Sequence, residues 1–344
     1  KMQCVSITRI SYHLFKKYKN NDRKGKLVRM QFFSVSDEVV SLPKGAWAKS
    51  HRINIYWQGR HITSLSQGKY RAYLFPVYTP QGFAVTTESP IDHPHHNSIW
   101  IGTDHLHCHL PFSNQGYEEA TYNFYVNEVF QGRAAGRILN ISVKYQEVSE
   151  THLQITQTLN WQGPNEWGAP QGRILAVETR TINIYPGEIA NLIDIRSQLR
   201  PTEWELHIGP TRHAYFGIRM SEALRATTGA KLIDSANRSG GSEITDQISD
   251  WVDCSGTVAA SRSAGISLFA YPSCAEEPWF VSDWGILTVN PLRHHKKVLN
   301  HDTELDLAVR IVVHDGDVQQ AEIDKIYQAF RTEIISQQNS KETS

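Results

Sequence analysis

The chain has 344 residues, with 35 basic against 35 acidic side chains and a sequence pI near 7.4. Such balance argues against nucleic acid as a partner, because a surface that tracks phosphate carries a basic excess. No apolar run approaches the ~20 residues of a membrane-spanning helix, so no membrane partner is expected.

The first segment is a basic leader. Lys16, Lys17, Lys19, Arg23, Lys24, Lys26 and Arg29 crowd a stretch whose only acid is Asp22. It lacks the apolar core of a secretory signal. We expect residues 1–30 to be disordered, with Met30 as an alternative start. The four cysteines, Cys4, Cys108, Cys254 and Cys274, are scattered and show no CxxC spacing. They read as free thiols of a reducing compartment, hence a cytoplasmic protein.

From Arg52 to Arg310 the chain reads as short strands broken by glycine turns. Gln-Gly recurs at Gln58-Gly59, Gln67-Gly68, Gln81-Gly82, Gln115-Gly116, Gln131-Gly132, Gln162-Gly163 and Gln171-Gly172. Glycine tolerates the positive φ that reverses a hairpin. Between the turns side chains alternate: Leu153, Ile155 and Leu159 share a face that only Gln157 interrupts. Period two with one wet face predicts antiparallel sheet. About 280 residues of strands exceed a small sandwich of ~100 residues. The expected fold is all-β: one large antiparallel β-sandwich over 31–316, of the galactose-mutarotase supersandwich type.

Six histidines fall between Asp92 and His109. Imidazole titrates near neutral pH and is the commonest metal ligand. In Asp92-His93-Pro94-His95-His96 the proline excludes a regular strand interior and predicts a stiff loop that presents imidazoles. His93, His95 and His96 are candidate catalytic residues, and Asp92 could fix a tautomer or bind substrate. In a strand His105, His107 and His109 would point the same way, a set able to hold zinc or a similar divalent transition metal. Asp104 could ligate or orient a ring there. Coincidental histidines on a solvated strand are the alternative.

Farther on, Arg212 and Arg219 offer forked donors for substrate oxygens, with His207 and His213 adding imidazoles. His213 is a candidate catalytic partner. Asp250-Trp251-Val252-Asp253 mixes acid and indole, an arrangement that suits sugar hydroxyls and C–H faces, so Asp250, Trp251 and Asp253 are candidate substrate contacts. Trp279 and Trp284 read as core, and His294-His295-Lys296-Lys297 as a solvated loop. No P-loop, dinucleotide glycine fingerprint or Gly-x-Ser-x-Gly elbow occurs, so no nucleotide cofactor is expected. After Asp317, a predicted N-cap with Gln320 as its capping-box partner, Ile323, Ile326, Tyr327, Phe330 and Ile334 share one face. This predicts a helix over 317–335 packed on the sandwich, and a flexible tail over 336–344.

The string Glu88-Ser89-Pro90-Ile91-Asp92-His93-Pro94-His95-His96, with Thr211-Arg212-His213, Phe216-Gly217-Ile218-Arg219, Asp250-Trp251-Val252-Asp253, Asn290-Pro291 and Val313-His314-Asp315-Gly316, resembles the bacterial family labelled "PmoA-like" or "methane oxygenase PmoA". The resemblance runs from about Ile53 to Gly316. Arg212-His213 stands where relatives often carry Lys-Glu. A methane monooxygenase subunit is membrane-embedded, which this chain's hydropathy does not fit. The resemblance instead implies sugar catabolism, by analogy alone.

Three functions are weighed. The first is a carbohydrate lyase, epimerase or hydrolase with histidine acid/base chemistry on a sugar or oxidised sugar. The second is a histidine-ligated metalloenzyme, hydrolytic or oxidative. The third is a non-catalytic carbohydrate-binding protein. The sequence does not fix an oligomeric state.

Overall fold

The computed structural model describes residues 27–39, 51–113 and 116–342. Most of the expected leader and Cys4 lie outside them. Its last residues depart from expectation: Leu27–Arg29 pair antiparallel with Ser34–Ser36. Backbone ladder bonds hold a segment whose charge alone read as leader.

The period-two pattern produces three sheets. In one sheet of nine described strands, Ala72–Val77, Ile99–Thr103, Ala214–Arg219 and Ile286–Val289 run side by side in that order. In a sheet of eight, His152–Gln162, Ile174–Tyr185, Ala190–Pro201 and Leu305–Asp315 are successive neighbours. The third joins Lys297–Leu299, Leu206–Ile208, Leu106–Ser113, Gly116–Asn123 and Ala134–Ala135. Pairing is antiparallel except between the last two.

The large sheets meet face to face. Along His152–Gln162 every second residue is buried, including Gln157, whose amide donates to Asn140 Oδ1 at 3.2 Å. An interior amide survives because it is hydrogen-bonded. Trp161 of that sheet stacks 6.2 Å from Tyr215 of the other, and Arg180 Nη1 reaches the Ala72 carbonyl at 3.2 Å. Leu106, Cys108, Leu206 and Ile208 of the third sheet enter the same apolar core. This is the all-β supersandwich expected, with one long helix at its C-terminus.

Local departures have physical causes. Gln58 and Gly59 take φ of 48° and 81°, the doubly positive pair of a two-residue hairpin between His51–Trp57 and Arg60–Gln67. Gln131 and Gly132 do the same at 50° and 77°. Gly68 and Gly163 lie outside that region, so Gln-Gly does not mark a reversal by itself. A bulge between Asn140 and Ser142 leaves Ile141 exposed while Ile138, Val143 and Tyr145 face the core.

The C-terminal helix spans Ile323–Glu342, later at both ends than the expected 317–335. The capping box does form: Asp317 Oδ1 accepts from the Gln319 and Gln320 amides, and Gln320 Oε1 accepts from the Asp317 amide. It closes an isolated turn, because Glu322 adopts φ of +52° and interrupts the helical path. The expected flexible tail is helical through Glu342. Tyr327, Phe330 and Ile334 are buried with Trp251, Phe269 and Val312, which sets the helix on the eight-stranded sheet. Among the described residues no helix is long and apolar enough to cross a membrane. Cys108, Cys254 and Cys274 are buried free thiols. Burial pushes Cys108 and Cys274 up to about 12, far from thiolate chemistry.

Candidate active site

Two prolines shape the loop that enters the strand Ile99–Thr103. The His93 amide donates to the Pro90 carbonyl at 3.1 Å and the His96 amide to the His93 carbonyl at 2.9 Å. These back-to-back turns bring three imidazoles together. Rings stack in a column: Trp284 lies 4.4 Å from His93, His93 4.8 Å from His96, and His96 4.9 Å from Trp100. His95 sits edge-on to His96 at 4.5 Å and 5.7 Å from Tyr125.

Their environments keep two of these rings neutral. His95 is held down to about 3 by burial and by the cation of Arg71. His96 is lowered further, by burial and then by His95. Desolvation disfavours imidazolium, and a nearby guanidinium adds to it. Arg71 is itself fully buried, donating to the His95 carbonyl at 2.5 Å and Asn127 Oδ1 at 2.8 Å. Burial lowers it to about 10.

His213 approaches the same cluster from the loop before Ala214–Arg219. Its ring lies 5.2 Å from Tyr125 and 5.8 Å from Phe130. Nδ1 is 3.0 Å from Oδ2 of buried Asp104, and Arg212 Nε donates to Nε2 at 3.2 Å. A donor on Nε2 and a carboxylate on Nδ1 define the Nδ1–H tautomer, with the Nε2 lone pair accepting from the exposed Arg212. Asp104 also accepts from Thr211 Oγ1 and from Arg133 Nη1 at 3.0 Å. Burial opposes its charge, but hydrogen bonds from His213 and Thr211 prevail and hold its carboxyl below the usual range.

Asp92 bridges Arg219 and His93. Arg219 Nη2 donates to Asp92 Oδ2 at 2.5 Å, and His93 Nδ1 lies 3.2 Å from the same oxygen. Burial raises the carboxyl, yet the Arg219 and His93 contacts outweigh it and bring Asp92 to about 2.

His93, His95, His96, His213, Asp92 and Arg212 therefore share one locality. Arg219 belongs to it too, but its side chain is 0% exposed and lies 4.8 Å over Trp284. The expected direct hold on substrate is corrected: Arg219 positions Asp92 from beneath. Asp104 is also corrected, since it orients His213 rather than a metal-facing ring. Asp250, Trp251 and Asp253 are not brought here. Trp251 packs under the C-terminal helix with Nε1 3.2 Å from Asp324. Asp253 is an interior partner of His314 Nε2 at 2.8 Å and of Ser267. The exposed Asp250 directly precedes the strand Trp251–Ala259. Both faces of the strand are covered from Trp251 to Ser255, which buries Asp253 and removes it from substrate contact.

The second histidine run also differs from expectation. His107 and His109 share a face of Leu106–Ser113, whereas His105 precedes the strand and points its Nδ1 toward the Pro210 carbonyl at 3.4 Å. His207, expected beside Arg212, instead pairs in register with His107. Sequence reasoning missed Tyr125, Arg71 and Trp284, the last read as core. No spacing signal joins them to the loop, because each comes from a different strand end. A groove of about 550 Å³ lies elsewhere, between the eight-stranded sheet and the C-terminal helix, with Tyr185, Asp194, Tyr271 and Glu333 on its walls.

A β-sandwich with a neutral-imidazole cluster and a carboxylate-held histidine is the class of molecule these features define. The chain belongs to a family of unknown function, DUF6807, whose model matches residues 52–328. That match corrects the resemblance to the PmoA-like family. No curated protein matches the chain. Among solved structures, a "putative aldose 1-epimerase" from Klebsiella pneumoniae is 9% identical, with 90% of this chain and 88% of that one covered at a TM-score of 0.41. A galactose mutarotase related enzyme from Lactobacillus acidophilus is 6% identical, with coverage of 84% and 97% and a TM-score of 0.30.

Proposed function

We propose that this protein is an enzyme that moves a proton on a sugar or oxidised sugar, with His213 as the base. The Asp104–His213 pair carries this reading. A buried carboxylate fixes the imidazole tautomer and stabilises the imidazolium formed when Nε2 takes a proton. Exposed Arg212, which donates to Nε2 in the free protein, turns to the substrate oxygen on binding; this frees the Nε2 lone pair and supplies positive charge where an enolate oxygen develops next to the carbon being deprotonated. His95, neutral at physiological pH, serves as a hydrogen-bond donor to a substrate oxygen rather than as a strong acid. Aromatic faces beside polar donors suit a polyhydroxylated ring. Epimerisation and elimination both begin with this step.

The test is hydrogen–deuterium exchange at carbon, followed by NMR in D2O with a panel of aldoses, keto-sugars and glycosides. The native protein should exchange a C–H beside the carbonyl of at least one substrate. His213→Ala should lose about 10²–10⁴-fold in rate, the usual weight of general acid–base catalysis. Unchanged exchange in that variant would remove His213 from the chemistry.

A further inference from the structure

We infer that the outer face of the five-stranded sheet binds a divalent transition-metal ion through His107, His109 and Glu119, with His207 and Glu205 flanking it. Alternation places the apolar residues Leu106, Cys108, Leu206 and Ile208 in the core, so the intervening positions of two strands turn outward together. Register then aligns them. His107 stands opposite His207 on one side and Thr121 on the other, and His109 stands opposite Glu119. Ring centroids are 4.9 Å apart for His107 and His109 and 5.1 Å for His109 and His207.

The donor atoms converge. Those of His107, His109 and Glu119 lie within 4.8 Å of one another, and so do those of His109, Glu205 and His207. His107 Nε2 is 4.0 Å and His109 Nδ1 3.8 Å from the Glu119 carboxylate. Bonds of about 2.0–2.1 Å to tetrahedral zinc put ligand atoms roughly 3.3 Å apart, so closure takes about 0.5–0.7 Å at Glu119 and at most about 1.5 Å between any two donors. Glu119, more than half exposed, has the freedom to make that move.

Orientation is already set. Thr121 Oγ1 holds His107 Nδ1 at 2.9 Å, which turns Nε2 toward Glu119, and Glu205 holds His207 Nε2 at 2.7 Å. Such outer partners fix the ring and tautomer of metal-ligating histidines. Two imidazoles and a carboxylate leave one coordination position open for water or a ligand oxygen. The strands that carry the site continue directly to Asp104 and, through the loop after Ile208, to His213. Bound metal would therefore tie together the two elements that support the acid/base pair. The metal inference does not depend on that chemistry, because it is read as bound ion.

The experiment uses the full chain without a histidine tag, stripped with chelator and titrated calorimetrically with zinc chloride, with elemental mass spectrometry after desalting. The native protein should bind one equivalent. His109→Ala, which removes the ligand common to both donor sets, should abolish that step, and Thr121→Val should weaken it about tenfold. His105→Ala should bind like the native chain. Absence of a stoichiometric step in the native protein would overturn the inference. So would its survival in His109→Ala, or its loss in His105→Ala or His95→Ala.

Discussion

His95 and His96 are held neutral at a cost that appears only in acid. Both have folded-state pKa values below the ordinary 6.5, so the unfolded chain binds more protons than the folded one as pH falls. Stability is therefore full above about 6.5 and declines toward about 3, by up to about 1.4 kcal/mol per pH unit for each ring. Urea unfolding between pH 7 and 4 should show this slope, and His95→Asn with His96→Asn should flatten it. An equal slope in the double variant would mean the rings are solvated. The residues of this loop were legible in the sequence because Pro90, Pro94 and three histidines are adjacent. The Asp104–His213 partnership was not, since 109 positions separate its members and the pairings of Ile99–Thr103 with Ala214–Arg219 and of Leu106–Cys108 with Leu206–Ile208 unite them.

Elements were read well where one periodicity dominates. The His152–Gln162 strand and the apolar stripe of the C-terminal helix follow their patterns closely. The helix start did not follow its cap, because a capping box specifies a turn but cannot specify the positive φ of Glu322 that ends it. Asp250-Trp251-Val252-Asp253 failed for a related reason. Acid and indole look alike whether they face a sugar or a helix, and only the sheet's packing partner decides. At this scale Phe330 anchors the helix: it is 2% exposed, lies 4.9 Å from Tyr271, and receives Arg310 over its ring at 4.8 Å. Phe330→Ala should destabilise the protein by about 3–5 kcal/mol in denaturant unfolding. A loss under about 1 kcal/mol would show that the helix is not integral to the core.

For the whole molecule, two sheets packed through one core give a stiff platform whose strand ends converge on the imidazole cluster. Trp100 comes from the strand Ile99–Thr103, His213 from the approach to its neighbour, and Trp284 from the turn before Ile286–Val289. Interior polar pairing ties the sheets together: Glu178 accepts a bidentate pair from Arg180 at 2.7 and 2.9 Å and a bond from Trp161 Nε1 at 2.9 Å, and Arg180 in turn reaches the Ala72 carbonyl of the facing sheet at 3.2 Å. The central claim is that this platform holds His213 as a base through Asp104. The most direct measurement compares the carbon-exchange rate of Asp104→Asn with that of the native protein at saturating substrate. Losing the carboxylate removes the partner for imidazolium and releases the tautomer, so the rate should fall at least about a hundredfold with KM little changed. A rate within twofold of native would contradict it, and would leave His213 as a packing residue.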